Sequence, residues 1–273
     1  MPAFICIVCG CQYPNTATPP SGCSICVDAG RPVSLPGLTW TTLPEMRKTH
    51  FGGFRRLEPG LMGIGTFPAF AIGQRALLIR TTAGNILWDC ISFLDEATIA
   101  FVTALGGLAG IACSNPNLLG SVVEWSHAFG SVPVYLHAMD RKFVTRLDPV
   151  IAVWEGDRIE LTEGINIIRC GGHFSGSSVL HWAQGGDGRG VLLTGDTVHV
   201  MPNKDLAFMQ SYSNFIPMDP VTVRRIAASL ADWPFDAIYD GWWDGVILSG
   251  AKQAMTDSAE RYADAVTGST EAF

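Results

Sequence analysis

The sequence predicts an α/β (α+β) domain of layered strands and helices, preceded by a small metal-bound module at the N-terminus. Three observations predict it. Short apolar runs face one another across Gly-containing turns in three places, apolar residues recur at helical spacing in three others, and five of the eight cysteines fall within the first 26 residues. At 273 residues, 48% of them hydrophobic, the chain suits one medium domain or a domain with an appendage. The 30 Gly and 16 Pro break the apolar runs, and only 16% of residues are charged, a composition of neither a disordered chain nor a coiled coil. Gly, Asn, Asp or Arg interrupts every stretch of about eighteen apolar residues, so no spanning helix is expected. A formal charge of −7 with no Lys/Arg cluster argues against a nucleic-acid partner or an anionic membrane surface.

The N-terminal module rests on Cys6-Ile7-Val8-Cys9 and Cys23-Ser24-Ile25-Cys26, two Cys-x-x-Cys turns separated by thirteen residues. Each turn can place two thiolates on one ion while its backbone N–H groups bond back to sulfur, and two turns complete a closed tetrahedral site. Zinc is the expected occupant, and iron accepts the same sulfur set. A closed site has no open coordination position, so its role is structural, and so short a segment depends on the ion for its folding. Cys11 is surplus, either a small buried apolar residue or an alternative ligand. Met1-Pro2-Ala3 leads straight into the cluster, so no secretion leader is expected, and paired thiols suit a reducing compartment. The expected location is cytoplasmic.

Residues 1–30 are therefore expected to form a ribbon and 31–60 a connector rich in Pro and Gly with little regular structure, leaving 61–273 as the main domain. Its strands begin after Ala71. Ala76–Arg80 and Asn85–Asp89 flank Thr82-Ala83-Gly84, Arg158–Leu161 and Ile165–Ile168 flank Glu163-Gly164, and Val179–Ala183 and Gly190–Thr194 flank Gly185-Gly186-Asp187-Gly188, each a hairpin pattern. Ala109–Cys113 and Val132–His137 are apolar runs suited to buried strands. Helical spacing spans Leu118–Phe129 (Leu118, Val122, Trp125, Phe129), Val221–Trp233 (Val223, Ile226, Ala227, Leu230) and Lys252–Ala265.

Three further segments carry a resemblance. Gly84-Asn85-Ile86-Leu87-Trp88-Asp89-Cys90 is a strand ending in Asp, Gly172-His173-Phe174-Ser175-Gly176 is a Gly-His-x-x-Gly segment, and Leu192-Leu193-Thr194-Gly195-Asp196 is a second strand ending in Asp. In this order and spacing, over roughly residues 60 to 262, they resemble the metallo-β-lactamase fold superfamily. The stretch between the Cys-x-x-Cys turns likewise resembles a rubredoxin-like zinc ribbon. The resemblance implies an αββα sandwich with its site along one edge of two sheets. It also implies a metal-binding role for His173 and a metal-bridging role for Asp196.

The family's His-x-His-x-Asp-His signature is degenerate here. The corresponding loop reads Cys113-Ser114-Asn115-Pro116-Asn117-Leu118-Leu119-Gly120, with Asn115 and Asn117 where the zinc-ribbon branch that the chain resembles keeps Ser-His-Pro-His. Near the C-terminus, where that family ends a strand on a histidine ligand, the chain reads Ile238-Tyr239-Asp240-Gly241-Trp242. Imidazole is a good zinc ligand and a neutral amide oxygen a poor one, and a catalytic zinc takes three protein ligands plus water. No catalytic metal is therefore expected.

Among single residues, Asp196 is a candidate general base or a backbone acceptor, and His173 is expected to pair with it as neutral imidazole and carboxylate. Cys113 is a candidate nucleophile or a buried strand-end thiol. Asn115 and Asn117 are candidate substrate-binding groups, with Asn117 expected to cap the following helix. His199 is a candidate substitute ligand or a loop histidine at the rim, and Tyr212, Phe215, Trp242 and Trp243 are candidates to line an apolar pocket. His137 and His181, on strand patterns, read as structural, and His50 and His127 as isolated. The expected activity is that of a small-molecule binding protein or metal-independent enzyme. The alternatives are a hydrolase with the altered ligand set His173, Asp196 and His199, and a ribbon-based redox or docking module. Substrate and oligomeric state are not legible.

Overall fold

The computed structural model describes residues 1–28 and 40–268, so the first part of the expected connector lies outside the described residues. The chain divides into two compact units, Met1–Trp154 and Glu155–Phe273.

In the first unit, strand Ala3–Cys6 is flanked by Gln12–Asn15 and Trp40–Thr41 in a three-stranded sheet, with the short helix Ser24–Asp28 following the second cysteine turn. A seven-stranded sheet follows. Its antiparallel half runs Phe51–Glu58, Leu61–Phe67, Arg75–Ile79 and Ile86–Trp88. Its parallel half continues through Gly110–Ala112, Val134–His137 and Ile151–Trp154. Helices Glu96–Ala104 and Val122–Ala128 connect the parallel strands. Leu78, Leu87, Ile111, Val134 and Leu136 of the sheet pack with Val102, Val123 and Trp125 of these helices. The parallel arrangement aligns the C-terminal ends of Ile86–Trp88 and Gly110–Ala112, and so places Asp89 beside the Cys113–Gly120 loop. In parallel sheets this end is where sites form.

The second unit is a six-stranded sheet: Arg158–Thr162, Ile165–Arg169, Ser178–Trp182, Val191–Gly195, Ala237–Asp240 and Val246–Ile247, in that spatial order. Helices Pro220–Ser229 and Ala251–Thr267 lay Val223, Ile226, Met255 and Ala259 against Ile168, Val179, Leu192 and Ile238. The sheet's one parallel pair, Val191–Gly195 with Ala237–Asp240, ends on Asp196 and Asp240. Two carboxylates thus leave the sheet side by side.

The three expected hairpins are present, each antiparallel. Three expectations need correction. The segment read as irregular carries the helical turn Leu43–Met46 and the eight-residue strand Phe51–Glu58, where paired glycines and arginines had hidden a half-exposed edge strand. The helix expected over Leu118–Phe129 is broken into a 3-10 turn, Pro116–Leu118, and a helix, Val122–Ala128. Gly120 breaks it. It sits at φ +52°, and a Cβ there would lie 2.6 Å from the Ile91 carbonyl. Helix Glu96–Ala104 was not foreseen, because Ile99-Ala100-Phe101-Val102 is apolar on every face and shows no stripe; Asp95 caps it, accepting from Thr98 N at 2.8 Å. No helix among the described residues is long and apolar enough to cross a membrane.

Candidate functional site

Four sulfurs converge at the N-terminus. Cys6, Cys9, Cys23 and Cys26 are buried and bring their Sγ atoms within 4.8 Å of one another, with Cys6–Cys26 at 3.8 Å and Cys9–Cys23 at 3.5 Å. Sulfurs sharing one tetrahedral zinc at about 2.3 Å stand about 3.8 Å apart, so the quartet fits a single Zn²⁺ without rearrangement. Tyr13 Oη (3.4 Å) and Cys26 N (3.5 Å) both donate to Cys23 Sγ, fixing its direction. Hydrogen bonds from Cys26, Cys6 and Cys9 push the Cys23 thiol far down, towards the thiolate that a metal requires. Among the described residues this is the group of three or more donor side chains gathered closely enough to hold an ion.

Cys11 is not part of the quartet. Its thiol donates to Pro116 O at 3.5 Å, and Gln12 N donates to Gly120 O at 3.2 Å, so the ribbon grips the Asn-Pro-Asn loop at two points. Ser92 Oγ donates to Gly10 O (2.7 Å) and Thr145 Oγ1 to Gln12 O (2.7 Å), extending the grip to either side. Arg146 reaches both Gln12 Oε1 and Glu124.

Within the loop both asparagines are buried. Asn115 Oδ1 accepts from Asn117 N at 3.0 Å and Asn115 Nδ2 donates to Ser114 Oγ at 3.1 Å. Asn115, not Asn117, is therefore the cap, and what it caps is the 3-10 turn. Asp89, at φ +59°, accepts from Ser114 N at 2.7 Å and ties the loop to the neighbouring strand end. Cys113 is buried beside it. Burial pushes its thiol well above the ordinary value, with the Asp89 charge adding to the effect, so it keeps its proton at neutral pH and is a poor nucleophile.

The second unit gathers six of its residues around Tyr212. His173 Nε2 lies 3.4 Å from Asp196 Oδ2, and its Nδ1 lies 3.3 Å from Met209 O. On the other side His199 Nδ1 stands 2.7 Å from Asp240 Oδ2, close but not aligned as a hydrogen bond. Both imidazoles meet the Tyr212 ring edge-on, at 5.5 Å and 5.9 Å, and Trp242 packs on His199 at 5.3 Å. Tyr212 Oη donates to Asp196 O at 3.2 Å. Its phenol is pushed well above the ordinary range by burial and then by the negative charges of Asp196 and Asp240. Asp240 was missed as a site residue, because the sequence marked it only as the place of an absent histidine.

The other predicted residues lie elsewhere. Phe215 is 84% exposed on the turn between strands Met209–Ser211 and Ile216–Pro217. His181 Nε2 is bound to Pro234 O at 2.6 Å and His137 caps a 3-10 turn, both structural. His127, expected to be isolated, pairs with Asp148 at 3.3 Å.

The buried thiols carry a pH prediction. Burial pushes Cys90 and Cys113 well up and Cys170 up to about 11. In the unfolded chain they titrate near about 8.5, so above that pH the folded state holds protons that the unfolded state has released. This stabilisation is complete below about pH 8.5 and is lost as the pH rises towards the folded values. Urea midpoints should therefore fall between pH 8 and pH 10.5, and Cys170→Ala should remove part of the fall; an equal fall in the variant would refute the contribution of Cys170.

No protein-family model matches the chain. It is 40% identical over 271 residues to the uncharacterized protein YmaE of Bacillus subtilis (strain 168), a match covering 97% of each chain. Among solved structures it resembles the DIM-1 metallo-β-lactamase, with a TM-score of 0.58, 12% identity and coverage of 77% of this chain and 97% of that one. It also resembles the FIM-1 metallo-β-lactamase of Pseudomonas aeruginosa in its mono-zinc form, with a TM-score of 0.57, 11% identity and coverage of 78% and 96%. A Cronobacter sakazakii metallo-β-lactamase carrying a mutated HARLDQ motif matches at a TM-score of 0.51 and 16% identity, over 79% and 97%. Identities this low establish a shared fold and leave activity open.

Proposed function

The chain belongs to the family of Bacillus subtilis YmaE and has the metallo-β-lactamase fold, and from that premise we propose that it works without the dinuclear zinc centre. It is a small-molecule binding protein or metal-independent enzyme, with one structural zinc held by Cys6, Cys9, Cys23 and Cys26. Asp196, His173 and Tyr212 form the heart of its binding site.

One observation carries this reading: the donor chemistry left at the positions of the family's ligands. Asn115 turns its amide oxygen to Asn117 N instead of outward, and Asp240 replaces a histidine with a carboxylate that accepts from Val200 N and Trp242 N. His173 and Asp196, 3.4 Å apart, are spaced as two donors on one zinc would be, about 3.3 Å. Two donors fall short of the three that a catalytic zinc takes, and His199, the nearest imidazole in sequence, has its Nδ1 against Asp240. The residues do not fit a dinuclear centre.

Elemental analysis of the purified chain tests this. The expected content is one zinc per chain, lost in Cys6→Ser or Cys23→Ser. A second zinc that disappears in His173→Ala or Asp196→Ala would establish the altered ligand set instead.

A further inference from the structure

We propose that His199 is a general base, and Asp240 its positioning residue, for the hydrolysis of an uncharged ester. The proposal rests on the metal-free reading above and adds a catalytic pair to it.

Asp240 is the fully buried last residue of strand Ala237–Asp240. Its Oδ1 accepts from Trp242 N at 2.9 Å and its Oδ2 from Val200 N at 3.0 Å, so two backbone amides fix the plane of the carboxylate and stabilise its charge. The same Oδ2 faces His199 Nδ1 at 2.7 Å. A carboxylate on Nδ1 favours the tautomer with the proton there and leaves Nε2 as the basic nitrogen. The ring edges of Tyr212 and Trp242 hold the imidazole from the sides, while 28% of the side chain stays exposed. This is an imidazole held by two aromatic rings beside a buried carboxylate, and solvent can still reach it. His173 differs on both counts. Its side chain is only 7% exposed, and its two ring nitrogens face Asp196 and Met209 O. Of the two imidazole–carboxylate pairs, the His199 pair is the more exposed.

The surroundings select the chemistry. The charges bearing on Tyr212 are those of two carboxylates, Asp196 and Asp240, which repel phosphate esters and carboxylates. The aromatic rings of Trp242 and Tyr212 suit an apolar acyl or alcohol group. An uncharged ester with water as nucleophile satisfies both conditions. His199 Nε2 takes a proton from water as the water oxygen bonds to the ester carbonyl carbon. The tetrahedral adduct then collapses, breaking the bond to the alcohol oxygen, and the imidazolium returns its proton to that oxygen. One ester and one water give one acid and one alcohol, with no change of oxidation state.

The test uses the full-length, zinc-loaded protein with p-nitrophenyl acetate and p-nitrophenyl butyrate. His199→Gln should lower kcat by about 10²- to 10⁴-fold, the usual span of general-base catalysis, with the fold verified by circular dichroism. Asp240→Asn should lower kcat with little change in KM and move the acidic limb of the pH profile, where the base is protonated, a response that a purely structural role would not give. His127→Gln, an exposed imidazole of the other unit, is the control for non-specific esterolysis. Should Asp240→Asn not fold, carbethoxylation of the wild-type protein, mapped to His199 by mass spectrometry, must abolish turnover in step with modification. Absence of hydrolysis above the control, or hydrolysis unchanged in His199→Gln while the zinc content is one, overturns the base assignment alone. A second zinc lost in His173→Ala, with hydrolysis still dependent on His199, overturns the metal-free reading alone.

Discussion

Stripping the ribbon of its metal will loosen the Asn115–Gly120 loop together with the first 28 residues. The quartet supplies most of what holds the ribbon, because Cys6, Cys9, Cys11, Ile25 and the other buried residues of its small core are chiefly the sulfurs themselves. Without an ion, four buried sulfurs within 4.8 Å of one another crowd a space that fits a cation. Structural zinc contributes on the order of 10–16 kcal/mol to modules of this kind, far more than so small an apolar cluster could replace. The loop enters through Cys11 and Gln12, whose bonds to Pro116 O and Gly120 O exist only while the ribbon keeps its shape. Hydrogen exchange should therefore speed up at Gln12, at Cys90 (bonded to Leu118 O) and at Ser121 (bonded to Ile91 O) when chelator removes the metal. The sheet amides of Leu77–Ile79 should be spared. Cys11→Ala separates grip from metal: it should keep one zinc yet raise exchange around the loop. If chelation frees the ribbon while Cys90 and Ser121 stay protected, the loop stands independently and the coupling is wrong.

What the sequence disclosed and what it withheld divide along chain distance. The Cys-x-x-Cys turns declare themselves because two ligands of one ion lie within four residues, and each expected hairpin has its turn chemistry beside its strands. The grip of Gln12 on Gly120 joins residues more than a hundred apart, and no local pattern announces it. The same holds within the site. His173 and Asp196 were legible as motif residues, and the structure brings them to 3.4 Å. The pairing of His199 with Asp240 was not, since Asp240 occupied a position defined by what it lacked. A signal was present nevertheless: Leu-Thr-Gly-Asp and Ile-Tyr-Asp-Gly each end an apolar run on a carboxylate. If those runs are parallel neighbours, as they are, the two acids emerge together. Cys113 was legible as either a nucleophile or a buried strand-end thiol, and burial, which no local pattern states, decides for the second.

Gly245→Ala should be among the most damaging single-methyl additions in the chain, and its effect should vanish when Asp240 is removed. A Cβ at position 245 would overlap Oδ1, Cγ and Oδ2 of Asp240. The turn cannot swing aside, because Asp240 N donates to Gly245 O at 2.9 Å and Gly245 N to Trp242 O at 3.3 Å, which locks the two residues together. The carboxylate must move instead, breaking with Val200 N, Trp242 N and His199 at once. A buried charge deprived of its partners costs about 3–5 kcal/mol, so the urea midpoint should fall by a corresponding amount. Asp240→Ala alone will also destabilise, since the two amides and the imidazole lose their acceptor. In the double variant Asp240→Ala, Gly245→Ala the methyl enters the space that the carboxylate has left. The second substitution should then cost little, giving a coupling energy of several kcal/mol where independent sites would give nearly none. Strictly additive losses would show that the Gly245 turn yields to a side chain, and that the position of Asp240 is set by its hydrogen bonds without the turn packed against it.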